Sequence, residues 1–181
     1  MRKFLHVCAL FVPLVTEVTS KPIVLAALCV IVVAYTVEEM LRLKGRQVPL
    51  ITSFTLRMAE PGERGRFIAR PVYLALGVML AMLLFPKHIA YASIGIVAVG
   101  DPVAAYVGGK FGRRHIRRNK TLEGSMAGLV LSFILASLMV SPISALVGAP
   151  AAMLMELLDF PDDNLTMPIA AGAMMLLAAP L

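Results

Sequence analysis

Asp101 stands between Gly100 and Pro102 in the run VAVGDPVAAYVGG, Val97 to Gly109, with apolar residues on both sides. A carboxylate is costly to bury in such surroundings, and Gly and Pro are residues that interrupt helices. The segment that follows, GGKFGRRHIRRNKTLEGSMAG from Gly108 to Gly128, places Lys110, Arg113, Arg114, Arg117 and Arg118 ahead of Lys120-Thr121-Leu122-Glu123-Gly124-Ser125. Glycine lets backbone amides approach phosphate oxygens, Lys and Arg neutralise them, and Mg²⁺ bridges phosphates to carboxylates. The stretch is not a Walker loop, which would need Gly where Ala104 stands and Ser or Thr where Phe111 stands. A third polar cluster, ELLDFPDDNLTMP from Glu156 to Pro168, is acidic. Carboxylates beside a basic loop are what a metal–nucleotide site requires.

Each cluster also has a plainer reading. Asp101 fits a kink with a capping carboxylate. A basic loop fits an orientation signal or an anchor for anionic lipid. Asp162, Asp163 and Thr166 fit the cap of a last helix before Pro168.

The elements that must position these residues are apolar. Of the 181 residues, 59% are hydrophobic and only 15% charged, with a mean hydropathy of +0.84, against about half apolar and a quarter charged in soluble domains. The expected fold is all-α: a polytopic integral membrane protein, a single domain over 1–181, with about seven transmembrane helices. The apolar stretches are Phe4–Val15, Pro22–Val37, Pro71–Phe85, Ile89–Val107, Met126–Val140, Pro142–Leu158 and Met167–Leu181. The fourth is expected to be broken at Gly100-Asp101-Pro102, with Asp101 about 18 Å along it at 1.5 Å per residue. An ionisable residue at that depth is by default a functional one. Between the second and third spans, VPLITSFTLRM is expected to lie along the interface as a short amphipathic piece. Met1-Arg2-Lys3 before an apolar run resembles a signal peptide, but another span follows almost at once, so it reads as retained. Cys8 and Cys29 both lie in apolar runs and read as small packing residues rather than a disulfide.

If the spans alternate, 15 of the 17 Lys and Arg fall on one side, and only Lys21 and Lys87 on the other. The positive-inside rule then places the N-terminus and both large loops in the cytoplasm. The net charge of +6 is sorted by loop, so it points to the bilayer rather than to nucleic acid. Nothing in the sequence speaks to oligomeric state.

The motifs GDPVAAYVGGKFGRR, NKTLEGSMAG and DNLTMP together resemble those of the CTP-dependent lipid kinases, which include dolichol kinase, phytol kinase and CTP-dependent diacylglycerol kinase. The resemblance is concentrated in Gly100–Gly128 and Asp163–Pro168 and extends more weakly to Arg2-Lys3-x-x-His6. It implies a polytopic enzyme that moves the γ-phosphoryl group of CTP to the hydroxyl of a membrane lipid alcohol, with a divalent cation such as Mg²⁺. Phosphatidate cytidylyltransferases share an Asp…Ala-Tyr…Gly run and a Lys-Thr-x-Glu-Gly element. They also carry a later Gly-Asp-Leu element and a Pro-Gly-His-Gly-Gly stretch, both missing here, so a CDP-lipid synthase is the alternative. A transporter binding an ion at Asp101 is a second alternative, against which stand a single break and no internal repeat.

On the kinase resemblance the catalytic residues are Asp101, Lys120, Glu123 and Asp163, and of these Asp101, Glu123 and Asp163 are the metal ligands. Lys120, with Lys110 or Arg113, would hold the β- and γ-phosphates. Gly108, Gly109, Thr121 and Gly124 would line the nucleotide with backbone or hydroxyl donors, and Asn164 and Thr166 would orient the nucleotide or the acceptor hydroxyl. Either Asp101 or Asp163 would take the hydroxyl proton. His6 and Glu39 are weaker candidates, since His88 and His115 have equal compositional claim.

Overall fold

The computed structural model describes residues 2–46, 49–58, 65–117, 120–158 and 162–179. Its elements are α1 (Arg2–Ala9), α2 (Phe11–Val18), α3 (Lys21–Leu43), α4 (Pro49–Met58), α5 (Arg70–Leu84), α6 (Lys87–Phe111), β1 (His115–Arg117), β2 (Lys120–Thr121), α7 (Leu122–Ser137), α8 (Pro142–Leu158) and α9 (Asp163–Leu177). Among the described residues the protein is therefore all-α apart from one antiparallel hairpin, in which His115 pairs with Thr121 and Arg117 with Lys120.

The apolar stretches all became helices, with three differences that have local causes. The first is split after Ala9, because Pro13 has no N–H for the Ala9 carbonyl; the chain turns there with Leu10 N donating to Val7 O at 3.1 Å. The second runs on to Leu43, because Glu38, Glu39 and Arg42 in its last turns are buried against other parts of the chain. It stops at Gly45, whose φ of 79° is the left-handed geometry that ends helices, with Arg46 N donating to Leu41 O at 2.9 Å. The third difference concerns Gly100-Asp101-Pro102, where a break was expected. The helix is continuous from Lys87 to Phe111, with Pro102 inside it. Pro102 removes one intrahelical hydrogen bond, but α6 is the central helix, packed by α1, α5, α7, α8 and α9, and that packing holds it in one piece. Asp101 is accordingly a mid-helix residue and caps nothing. The piece VPLITSFTLRM contains α4.

Contact between α6 and α7 depends on small residues at four-residue spacing. Gly100, Ala104 and Gly108 on α6 face Gly124, Gly128 and Ser132 on α7. A Cβ on Gly124 would lie 2.4 Å from the Ala104 carbonyl oxygen, and one on Gly128 2.7 Å from that of Gly100. Such pairs let two backbones approach closely. At the opposite end of the bundle, the ion pair Glu17–Lys87 at 2.7 Å ties the end of α2 to the start of α6.

Among the described residues, α3 and α6 are the helices long and apolar enough to cross a membrane. They differ in setting: 67% of the apolar window of α6 is buried inside the protein, against 17% for α3. The segments Leu5–Val18, Arg70–Leu84, Leu122–Ser137 and Pro142–Leu158 are apolar but shorter. Large apolar side chains cover much of the exterior, among them Ile31, Val33, Leu84, Leu138, Ile143 and Leu177. An exterior of that kind marks a surface that meets lipid or other protein.

Candidate functional site

Four stretches that are far apart in the chain bring their polar side chains together at one end of the bundle. α6 supplies Asp101 from its middle. β2 supplies Lys120, the last residue before the helix-opening Thr121. α8 supplies Glu156 two residues from its terminal Leu158, and the start of α9 supplies Asp163 and Asn164. α1 adds His6 from the N-terminal segment.

Lys120 is the centre. Its Nζ lies 3.2 Å from Asp163 Oδ2 and 3.9 Å from Asp101 Oδ1, and it donates to Glu156 Oε1 at close range. The Lys120 side chain is 23% exposed, Asp101 20%, Asp163 15% and Glu156 2%, so the cluster has a wet mouth and a dry floor. Burial alone pushes the Lys120 ammonium down, but Asp163, Glu156 and Asp101 together outweigh it and hold the group above the ordinary lysine range.

A second chain of hydrogen bonds adjoins the first. His6 Nε2 lies 2.5 Å from Asn164 Oδ1 and 3.5 Å from Asp101 Oδ2. Asn164 is held in turn by Asp162, whose Oδ1 accepts the Asn164 backbone N–H at 3.0 Å and its side-chain Nδ2 at 2.6 Å. Burial pushes the Asp162 carboxyl up, against the lowering effect of the Asn164 amide. Asp162 is the N-cap of α9, as the plainer reading of the acidic stretch had it. Asp163, the next residue, faces Lys120 instead.

The remaining sequence-predicted residues are distributed differently. Glu123 is not among the carboxylates around Lys120. It points back along the chain, and its Oε2 accepts the backbone N–H groups of Arg113 at 3.1 Å and Arg114 at 3.3 Å. Those amides and its own backbone N–H hold its carboxyl below the ordinary range. Thr121 is buried and caps α7 by accepting from Gly124 N at 3.3 Å. Gly108 and Gly124 are buried in the α6–α7 contact, so no phosphate reaches their backbones without parting those helices. Gly109 is exposed with open space around it. Lys110 is exposed, its Nζ 5.3 Å from the Phe111 ring and 5.9 Å from the Tyr106 ring. Arg113 is exposed. Thr166 donates to the Asp162 carbonyl at 3.0 Å within the first turn of α9. Arg118 lies outside the described residues.

Glu156 was missed. In the sequence it is one acid in a stretch whose acids have capping roles to fill, and only the packing of α8 beside β2 turns it toward Lys120. Its signal was depth: Glu156 precedes Leu157 and Leu158 inside an apolar run, where an unpaired carboxylate is costly. Its second oxygen, Oε2, is buried without a donor. His6 belongs to the network, whereas Glu39 lies in a separate cluster with Arg42.

Counted at formal charge, three carboxylates face one ammonium. An all-oxygen donor set with excess negative charge, including a buried oxygen that lacks a donor, suits a hard divalent cation. Among the described residues no three His, Cys, Asp or Glu side chains stand together in ligand geometry, and the three carboxylates each face Lys120. Compared with known proteins, the chain matches no family model, no curated protein and no solved structure.

Proposed function

We propose that the protein is a CTP-dependent lipid kinase, transferring the γ-phosphoryl group of CTP to the hydroxyl of a membrane lipid alcohol of the polyprenol type. The observation that carries the reading is the meeting at Lys120 and His6 of the separate stretches on which the sequence resemblance rests. Arg2-Lys3-x-x-His6, Gly100-Asp101-Pro102, Asn119-Lys120-Thr121 and Asp163-Asn164 span most of the chain. Their functional side chains His6, Asp101, Lys120, Asp163 and Asn164 form one connected network.

In this reading Lys120 is a phosphate-binding group held in reserve by carboxylates. A γ-phosphate entering at the mouth competes for its ammonium, and the carboxylates so released are left to a divalent cation. Asp101, Asp163 and Glu156 would hold that Mg²⁺, which neutralises charge on the phosphates when bound. Glu123 has a different task, holding by their backbone amides the turn that carries Arg113 and Arg114. Asp101 or Asp163 would accept the proton as the alcohol oxygen bonds to phosphorus and the bond to CDP breaks. His6, locked by Asn164, keeps Asp101 oriented.

The wider arrangement belongs to the same proposal: seven spans in the bilayer, with the N-terminus and the site on the cytoplasmic side. The exterior of large apolar side chains and the one-sided sorting of basic residues support it. A lipid alcohol would then reach Asp101 from the hydrocarbon while the nucleotide arrives from water.

The test is turnover of purified protein with CTP labelled in the γ- or the α-phosphate and a panel of lipid alcohols. The expected result is γ-label in lipid, α-label left soluble, and CDP released. Lipid-borne α-label with free pyrophosphate would identify a cytidylyltransferase, and no CTP turnover with any acceptor would remove the enzyme reading.

A further inference from the structure

A second group of buried polar side chains lies between the last turns of α3 and the short helix α4, and the proposed reaction does not use it. Tyr35, Glu38, Glu39 and Arg42 recur at three- and four-residue spacing, so they share one face of α3. Thr52 and Thr55 share one face of α4. Glu38, Glu39, Thr52 and Thr55 are each at most 4% exposed.

The donors in this cluster are unevenly shared. Glu39 is satisfied at both oxygens: Oε2 accepts Arg42 Nε at 2.6 Å, and Oε1 accepts Arg42 at 2.7 Å and the Ile68 backbone N–H at 2.8 Å. Arg42 also donates to the Arg66 carbonyl at 2.7 Å. Glu38 receives a single bond, from Thr52 Oγ1 to its Oε1 at 2.6 Å. Among the described residues Glu38 Oε2 is buried with no donor, and Thr55 Oγ1, one turn beyond Thr52, is buried with only the Tyr35 hydroxyl beside it. The Tyr35 hydroxyl, which donates to Ile68 O at 2.9 Å, stands beside Thr55 and within electrostatic reach of both glutamates.

Among the described residues, two buried carboxylates thus share one guanidinium, leaving one formal negative charge. A buried carboxylate oxygen without a donor is costly, and a cation removes that cost. Among the described residues the available donors are a carboxylate oxygen and hydroxyl oxygens, which select a hard ion. The excess charge is one, which matches a monovalent ion. A hydroxyl that donates elsewhere still has lone pairs for a cation, so Thr52 and Tyr35 can assist without giving up their hydrogen bonds.

We propose that Glu38 Oε2 and Thr55 Oγ1 form a binding site for a monovalent alkali cation, Na⁺ or K⁺, held between α3 and α4. The bound ion ties α4 to the end of α3. On the same face of α3, Glu39 and Arg42 grip residues 66–68 just ahead of α5, whose Arg70 acts on Asp162 of the first site. This site does not depend on the phosphotransfer reading.

The experiment is thermal unfolding of the purified full-length protein, followed by far-UV circular dichroism, in NaCl, KCl or N-methylglucamine chloride at equal ionic strength. The unfolding midpoint is expected to be higher by about 5 °C or more in at least one alkali salt at 100 mM, and to saturate with concentration. Glu38→Gln keeps an acceptor for Thr52 but lacks the charge, and it is expected to lose the difference between salts. Thr55→Val, which removes only the hydroxyl oxygen, is expected to weaken that difference if Glu38→Gln does not fold. Equal midpoints for the native protein in all three chlorides would overturn the proposal, as would an alkali effect that survives unchanged in the folded variants.

Discussion

Glu156 of α8 holds Lys120 of β2 through one carboxylate oxygen, while its other oxygen is buried with no donor. The pair is separated by 36 residues of chain, so no local helical spacing brings the two together. Glu156 therefore does two things: it fixes the ammonium where Asp101 and Asp163 also reach it, and it keeps one acceptor in reserve.

Glu156→Gln preserves volume and one acceptor while removing charge. It is expected to lower turnover of CTP by about 100-fold or more, whereas Glu123→Gln stays within about threefold of the native rate. γ-Label transfer to lipid measures both. Equal losses in the two variants would return Glu123 to the metal site and contradict the geometry around Lys120.

Asp101→Asn is expected to fold and to lose at least about 100-fold in turnover, since an amide neither holds a divalent cation nor takes a proton. His6→Ala removes the partner of Asn164 Oδ1 and is expected to destabilise the protein by about 1–3 kcal/mol. If the asparagine variant turns over normally with Mg²⁺, Asp101 has only a packing role.

The Glu123 carboxylate binds two backbone amides and is held below its ordinary range. A lowered carboxyl contributes order that is present above the ordinary glutamate range and is lost as pH falls through the lowered value. Amide exchange at Arg113 and Arg114 is expected to be protected at neutral pH and to lose that protection only on the acid side of the ordinary range. Glu123→Gln should lose part of the protection at all pH values. Exchange rates identical in the two proteins would show that the turn is held by other contacts.

Gly124→Ala places a methyl group where the Ala104 carbonyl oxygen is 2.4 Å away, and is expected to destabilise the protein by about 1–3 kcal/mol. Gly109→Ala meets open space and is expected to leave stability unchanged. Unfolding midpoints compare the two. The packing role of Gly124 is lost if its variant is as stable as that of Gly109.

The sequence by itself determined that the apolar stretches are helices, because runs of 12 to 19 mostly apolar residues between polar punctuation leave few other ways to satisfy their backbones. It also marked Asp101, Lys120 and Asp163 as belonging together, since alternating helices bring the three polar clusters that hold them to one end. Tertiary structure decided which other groups join them. Glu123 is three residues from Lys120, but the passage from strand to helix between them sends the two side chains in different directions. Glu156 and His6 arrive only because α8 and α1 pack beside the same end of the bundle. The same holds for the glycines. Gly108 and Gly124 look like phosphate-cradling residues in a basic loop, yet their Cα atoms face each other across two helices, and pairing of this kind depends on helix rotation, which no local window contains. Continuity through Pro102 is likewise a property of the whole molecule: one missing hydrogen bond is a local quantity, and the five helices that outweigh it are not.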